Sequence, residues 1–327
     1  MGAGAVVLDR RPVRIGWSMR QREVDVVHLH WLEYAAAADP RPVVGWALTW
    51  FRIVRLIAFL LVLRARRIGV VWTVHNLSPH QPNRPRAERI CAQAVYALAT
   101  EVIVHSEYAA RRVTETFRAP RRRPLRVIPH ANYIGAFPEP VASREQVRAA
   151  LQIPANGFVY LAFGLIRGYK RLPLVVEQFG QLDGEHLRLI IAGPPNQPEE
   201  VAAVKRAAAR DPRVIVRAEY IPDADVSGLH LAADAAVLAY SDLFSSGALL
   251  LALSLGVPAI APAGGTSGEL FSAPAVEHFD GDDLSSAMIR IRSGVRGSAA
   301  RVSAECFPWS QAAERTLLVY ESACRRR

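Results

Sequence analysis

Short β-branched and apolar runs recur along the chain, each closed by polar turn residues and followed by a stretch of helical length. VDVVHL (24–29), VVWTV (70–74), EVIV (101–104) and LRVI (125–128) form a first series, with helix-length segments at 84–99 and 108–118 between them. A Gly-, Pro- and Ala-rich break follows over 133–143. FVYLAF (158–163), LRLIIA (187–192), RVIV (213–216), AAVLA (235–239) and AIA (259–261) make a second series. Alternating strands and helices in two series predict an α/β protein of two Rossmann-like domains, residues 1–138 and 139–306, facing each other across a cleft. The segment 307–327 carries an amphipathic helix, 309–323, with Leu317, Leu318 and Tyr320 on its apolar side, expected to pack back on the first domain.

Composition narrows the class. At 327 residues the chain exceeds what one core covers, and 51% hydrophobic residues argue for complete folding. The net charge of +10 is almost entirely arginine, since Lys170 and Lys205 are the only lysines, a usage that matches a GC-rich genome as well as any basic function. No helix-turn-helix, aromatic RNA-binding signature or finger-type Cys/His spacing accompanies the charge, so nucleic acid is not an expected partner. Cys91, Cys306 and Cys324 are odd in number and far apart, which fits a reducing cytoplasm. Residues 1–22 carry only a short apolar run before charge and do not read as a secretory signal.

One segment touches the membrane question. PVVGWALTWFRIVRLIAFLLVLRARR (42–67) approaches spanning length but holds Arg52 and Arg55 near its middle. The two arginines lie three apart on one helical face, opposite Trp46, Trp50, Phe59 and Leu60, and Arg64, Arg66 and Arg67 close the segment. It reads as a core helix with one solvated edge or as a helix lying in an anionic membrane surface, rather than as a span.

The chemistry concentrates at strand ends. In VYLAFGLIRGYKR (159–171) a strand ends at Gly164, and Arg167, Lys170 and Arg171 follow in one short loop, which aims fixed positive charge at the carboxyl edge of a parallel sheet. A diphosphate is the ligand this predicts. Ser245, Ser246 and Gly247 open the helix 248–255, whose free N–H groups make a second anion site. Asp223-Ala224-Asp225 reads as a capped helix start rather than a metal site, and no metal is expected. His28, His30, His75, Asn76 and His80 fall at or just beyond predicted strand ends and suggest a polar pocket. Asn76 is placed to orient His75. If the reaction needs a base, His75, His80, His30 and Glu33 are the candidates; His130 reads as a hinge or donor-side residue.

In order and spacing, VDVVHLHW (24–31), VVWTVHNLSPH (70–80), RVIPHANYIG (126–135), FGLIRGYKRL (163–172), LIIAGPP (189–195), LHLAADAAVLAY (229–240), SSGALLLALSLGVPAIAP (245–262), GGTSGEL (264–270) and FPWSQ (307–311) resemble the GT-B glycosyltransferases. The resemblance is to the bacterial enzymes that build exopolysaccharide or lipid-linked oligosaccharide. It implies transfer of a hexose from a nucleotide diphosphate sugar to a saccharide acceptor, lipid-linked, in cell-surface polysaccharide synthesis at the cytoplasmic face of the membrane. No cofactor beyond the donor is implied. His75 matches the position where a histidine touches the transferred sugar, with Arg167 and Lys170 as the other catalytic residues. Gly164, Arg167, Lys170, Ser245, Ser246, Gly247 and Glu269 would hold the donor, and His30, Asn76 and His80 the acceptor. The paired glutamates of retaining members would fall at Leu243 and Leu251, which favours inversion. Members usually begin with a further strand and Gly-rich loop, for which residues 1–23 look too short. A nucleotide-sugar epimerase of the same fold and a noncatalytic partner subunit are the rival readings.

Overall fold

The computed structural model of the protein describes residues 24–32, 41, 44–77, 84–118, 125–245, 247–294 and 297–326. Two compact units emerge: residues 1–130 with 309–327, and residues 131–308.

The first unit contains β1 (Val26–Leu29), α1 (Val44–Ala65), β2 (Gly69–Thr73), α2 (Pro85–Leu98), β3 (Glu101–Val104), α3 (Glu107–Thr116) and β4 (Leu125–Val127). Its strands form a parallel sheet in the order β1-β2-β3-β4. β2 and β3 are buried along their whole length, as strands of a parallel sheet covered on both faces must be. α1 and α2 pack together, and α1 also lies on β2. Ser106 caps α3 by accepting from the Ala109 N–H at 3.0 Å, worth about 1 kcal/mol.

α1 corrects the expected polarity of its segment. Ile53, Leu56, Phe59, Leu60 and Leu63 face the core, so the apolar side carrying Phe59 and Leu60 is spent on the protein itself. Yet the outer side is also apolar: Val44, Trp46, Phe51, Val54 and Leu61 are exposed, and the Arg55 guanidinium lies 6.0 Å from the Phe51 ring. By length and composition α1 is the one helix among the described residues apolar enough to cross a membrane.

The second unit runs α4 (Arg144–Ala150), β5 (Phe158–Phe163), α5 (Leu172–Gly180), β6 (Leu187–Ala192), α6 (Pro198–Ala208), β7 (Val214–Arg217), α7 (Asp223–Ala232), β8 (Ala235–Val237), α8 (Gly247–Ser254), β9 (Ala259–Pro262), α9 (Gly265–Leu270), β10 (Val276–Phe279), α10 (Leu284–Ile291) and α11 (Gly297–Glu305). Its six parallel strands take the order β10-β9-β8-β5-β6-β7, the outward-winding pattern of a Rossmann-like sheet. The strand pleat sorts the core by alternation: Val159, Leu161 and Ile190 face one apolar layer with α7 and α8, while Tyr160, Leu189 and Ile191 face another with α5 and α10. Ser143 and Gln146 form a capping box at the start of α4. Asp223 does not cap α7, whose N-cap is Pro222; Asp223 and Asp225 instead stand in its first turn, where negative charge suits the helix dipole.

The break between units falls after His130, earlier than the Gly- and Pro-rich stretch suggests. Asn132 already belongs to the second unit, donating from its backbone to Phe307 O at 2.8 Å and from its side chain to Ala304 O at 3.0 Å. The chain then returns. α12 (Trp309–Arg325) packs against β1, β2 and β3, and a Cβ on Gly69 would sit 3.0 Å from that of Ala323, so glycine lets helix and strand touch. Glu101, 1% exposed, is neutralised by Arg126 at 3.1 Å and Arg326 at 3.4 Å and accepts from the Ser322 hydroxyl at 2.8 Å.

Candidate active site

At the carboxyl edge of the second unit's sheet, β5 and β6 end in backbone contact. Gly164 takes φ +100° and Gly193 φ +149°, and a Cβ on Gly193 would fall 2.4 Å from the Gly164 carbonyl oxygen. A single 3₁₀ turn, Gly168–Lys170, then folds the chain back over the strand end. Lys170 is only 5% exposed; its Nζ donates to Phe163 O at 2.8 Å and lies 5.8 Å from the Tyr240 ring. Burial, and then the charge of Arg167, pull its pKa down from the usual lysine range to about 7. This differs from the expected open clamp. The ammonium is folded under the turn, and Gly164 is glycine because a Cβ there would meet Nζ at 2.8 Å.

Arg167 is half-buried and held by its Nε–H to Asn196 Oδ1 at 2.8 Å, while the Gly168 N–H donates to Gln197 Oε1 at 2.8 Å. The same turn reaches the loop after β8, where the Ser241 N–H donates to Tyr169 O at 3.1 Å. That loop leads to α8, whose first residue is Gly247 and whose preceding Ser246 lies outside the described residues; Ser245 is half-buried. A Cβ on Gly247 would meet the Tyr133 hydroxyl at 2.7 Å, so this glycine makes room for a phenol at the helix start. The start of α9 is tied to the same loop by Thr266, which donates from its N–H to Leu243 O at 3.0 Å and from its hydroxyl to Phe244 O at 2.6 Å. Glu269 is exposed on the last turn of α9. Leu243 and Leu251 are buried core residues, so neither position offers a carboxylate. Cationic turn, helix start and α9 therefore converge on one strand edge.

The first unit gathers histidines at the equivalent edge. His28 is fixed at both nitrogens, Nδ1 to the Tyr320 hydroxyl and Nε2 to the Thr73 hydroxyl, each at 2.7 Å. Its role is structural. His30 Nδ1 and His75 Nε2 are hydrogen-bonded at 3.0 Å, and Trp31 stacks on the His75 ring at 4.3 Å with planes 12° apart. His105 and His130 extend the series, with ring centroids 5.2 Å from His75 to His105 and 5.3 Å from His105 to His130. His105 Nδ1 donates to Ile128 O at 2.8 Å, which leaves Nε2 a bare acceptor, buried and without a hydrogen-bond partner among the described residues.

Burial, reinforced by neighbouring imidazoles, lowers the pKa of His28 and His75 to about 3, and burial lowers that of His105 to about 4. His30, the exposed member, is lowered by burial as well. Asn76 does not orient His75 as expected: its Nδ2 is buried without a hydrogen-bond partner, and His30 bonds the ring instead. His80 and Glu33 lie outside the described residues. Sequence reading missed His105 and Trp31 as partners of His75, and Tyr133 at α8. The signal for His105 was present, since HS (105–106) follows the strand EVIV as HN (75–76) follows VVWTV.

The chain matches no protein-family profile. Over 309 residues it is 30% identical to the GDP-mannose:glycolipid 4-beta-D-mannosyltransferase of Xanthomonas campestris pv. campestris, an alignment covering 89% of this chain and 79% of that enzyme. Among solved structures it resembles sucrose-phosphate synthase of Thermosynechococcus elongatus, with TM-score 0.66, 18% identity and coverage of 93% of this chain and 74% of that one. It also resembles Anabaena HepE in complex with UDP and glucose, with TM-score 0.69, 17% identity and coverage of 83% and 76%. The fold and the sequence relationship agree: the chain belongs to the GT-B glycosyltransferases, in one family with the glycolipid mannosyltransferases.

Proposed function

We propose that the protein transfers mannose from GDP-mannose to a hydroxyl of a glycolipid, with inversion at the anomeric carbon and without a metal ion. The Xanthomonas relative carries this donor, acceptor class and β linkage in its name, and GDP-mannose is an α-linked donor, so a β product requires inversion. The observation that carries the reading is the His30–His75 pair, a neutral, hydrogen-bonded base on an exposed strand end. The leucines at 243 and 251, where retaining members hold glutamates, support it.

In this reaction the acceptor O–H loses its proton to His30 Nε2 as the oxygen attacks C1 of mannose. The C1–O bond to the diphosphate breaks and GDP leaves. Protonated His30 carries N–H on both nitrogens, so Nδ1–H donates to His75 Nε2, and a His75 kept neutral by burial is a fixed acceptor for it. Arg167, Lys170 and the N–H groups opening α8 neutralise the leaving diphosphate, with Gly164, Ser245, Ser246 and Glu269 completing the donor site. His80 and Asn76 belong to the acceptor side. The apolar outer face of α1, with Arg55, Arg64, Arg66 and Arg67, seats the enzyme on the cytoplasmic membrane face where a glycolipid resides.

The test is a transfer assay with GDP-mannose, UDP-glucose as control donor, a glycolipid acceptor in detergent, and chelator throughout. The expected result is a β-mannosyl product by NMR, selective for GDP-mannose, with turnover lowered about 100-fold or more by His30→Gln. Because the His30 pKa lies below 6.5, the acid limb of kcat/KM is expected below that pH. An α-linked product, or no transfer, overturns the reading.

A further inference from the structure

We propose that Trp31 is the platform on which the terminal sugar ring of the acceptor stacks. The inference rests on the glycolipid reading above. Trp31 is 42% exposed although one face of its indole is covered by the His75 ring at 4.3 Å, so its exposure belongs to the opposite face and the edge. An indole of this size ordinarily buries itself or finds a partner. Here it is held flat instead, because the ring beneath it is pinned by His30 at 3.0 Å.

The surroundings specify the occupant. A pyranose presents an apolar face of C–H groups and a rim of hydroxyls, and a rigid aromatic face with polar groups beside it is how binding sites orient such a ligand. Trp31 and His30, the proposed proton acceptor, both meet His75, the one by stacking at 4.3 Å and the other by a hydrogen bond at 3.0 Å, so a ring stacked on the indole lies beside that base. Behind the His75 ring the series continues to His105, with centroids 5.2 Å apart, so the platform is backed by polar rings rather than by an apolar core. The donor's diphosphate needs cations, whereas the ring stacked on Trp31 is an imidazole that burial keeps neutral.

Trp31→Ala is expected to raise the acceptor KM about tenfold while the donor KM stays within about twofold, and Trp31→Phe to recover most of the loss. Saturation-transfer NMR with octyl glucoside, galactoside and mannoside decides the matter without turnover. Ring C–H signals that appear with the unaltered protein, vanish in Trp31→Ala and return in Trp31→Phe support the platform. Signals equal in Trp31→Ala, confined to the octyl chain, or absent with all three glycosides overturn it, as does an unmoved acceptor KM. An unaltered enzyme that turns over no glycolipid defeats the transfer reaction instead, and leaves the NMR result to judge Trp31.

Discussion

Lys170 shows how a single side chain departs from what its spacing suggests. A lysine in a basic loop reads as a solvated cation, but here Nζ is enclosed between Phe163 O, Gly164 and Tyr240 and titrates near 7. In the proposed reaction an arriving diphosphate would favour the charged form of this side chain. Lys170→Met is expected to lower kcat/KM by about 100- to 1,000-fold, in line with the loss of one preorganised donor to a leaving oxyanion. The same shift has a stability sign. Between pH 7 and 10.5 the unfolded chain keeps a proton that the folded lysine has released, so wild-type stability gains over Lys170→Met as pH rises through that window. Thermal melts of both proteins at pH 6, 8 and 10 check this, and a gap that stays constant would contradict the buried cation. The position of Lys170 was legible in the sequence; its burial was not, because that depends on a glycine turn and on Tyr240, seventy positions away.

Elements were legible where one kind of residue filled them. EVIV, FVYLAF and LRLIIA became β3, β5 and β6 with the boundaries their apolar runs predict, because central strands of a parallel sheet are buried on both faces. β10, VEHF, was not foreseen: it is an edge strand, and its Glu277 and His278 interrupt the apolar run. α1 was foreseen as a helix, but which face meets the core is set by α2 and β2 rather than by periodicity, since both faces are apolar. Its outward residues give the prediction at this scale. Phe51→Glu with Val54→Glu, at positions 63% and 60% exposed, is expected to abolish flotation with anionic vesicles and leave the melting temperature within about a degree or two. Leu60→Ala, on the inward face, is expected to cost about 2 to 5 kcal/mol and leave vesicle binding intact. Wild-type protein that stays with the soluble fraction would refute the surface seat.

At the scale of the molecule, the titrating histidines are divided unequally. His28, His30, His75 and His105 in the first unit, and His230 and His278 in the second, all have pKa values lowered chiefly by burial. Below pH 6.5 the unfolded chain takes up protons that the folded histidines refuse, so stability falls as pH drops toward 4, and more steeply in the first unit. Calorimetry between pH 7 and 4.5 is expected to show the first unit's transition moving down faster; equal movement would contradict it. The two-domain plan and the strand ends that carry the basic turn and the histidines could be read from the sequence, because each depends on local alternation. The histidine series could not, since contacts such as His28 with Tyr320 join residues 292 positions apart. That separation has a consequence during synthesis. The buried carboxylate of Glu101 and the ring of His28 wait for Ser322, Arg326 and Tyr320, so the first unit is completed only after the whole of the second has been synthesised.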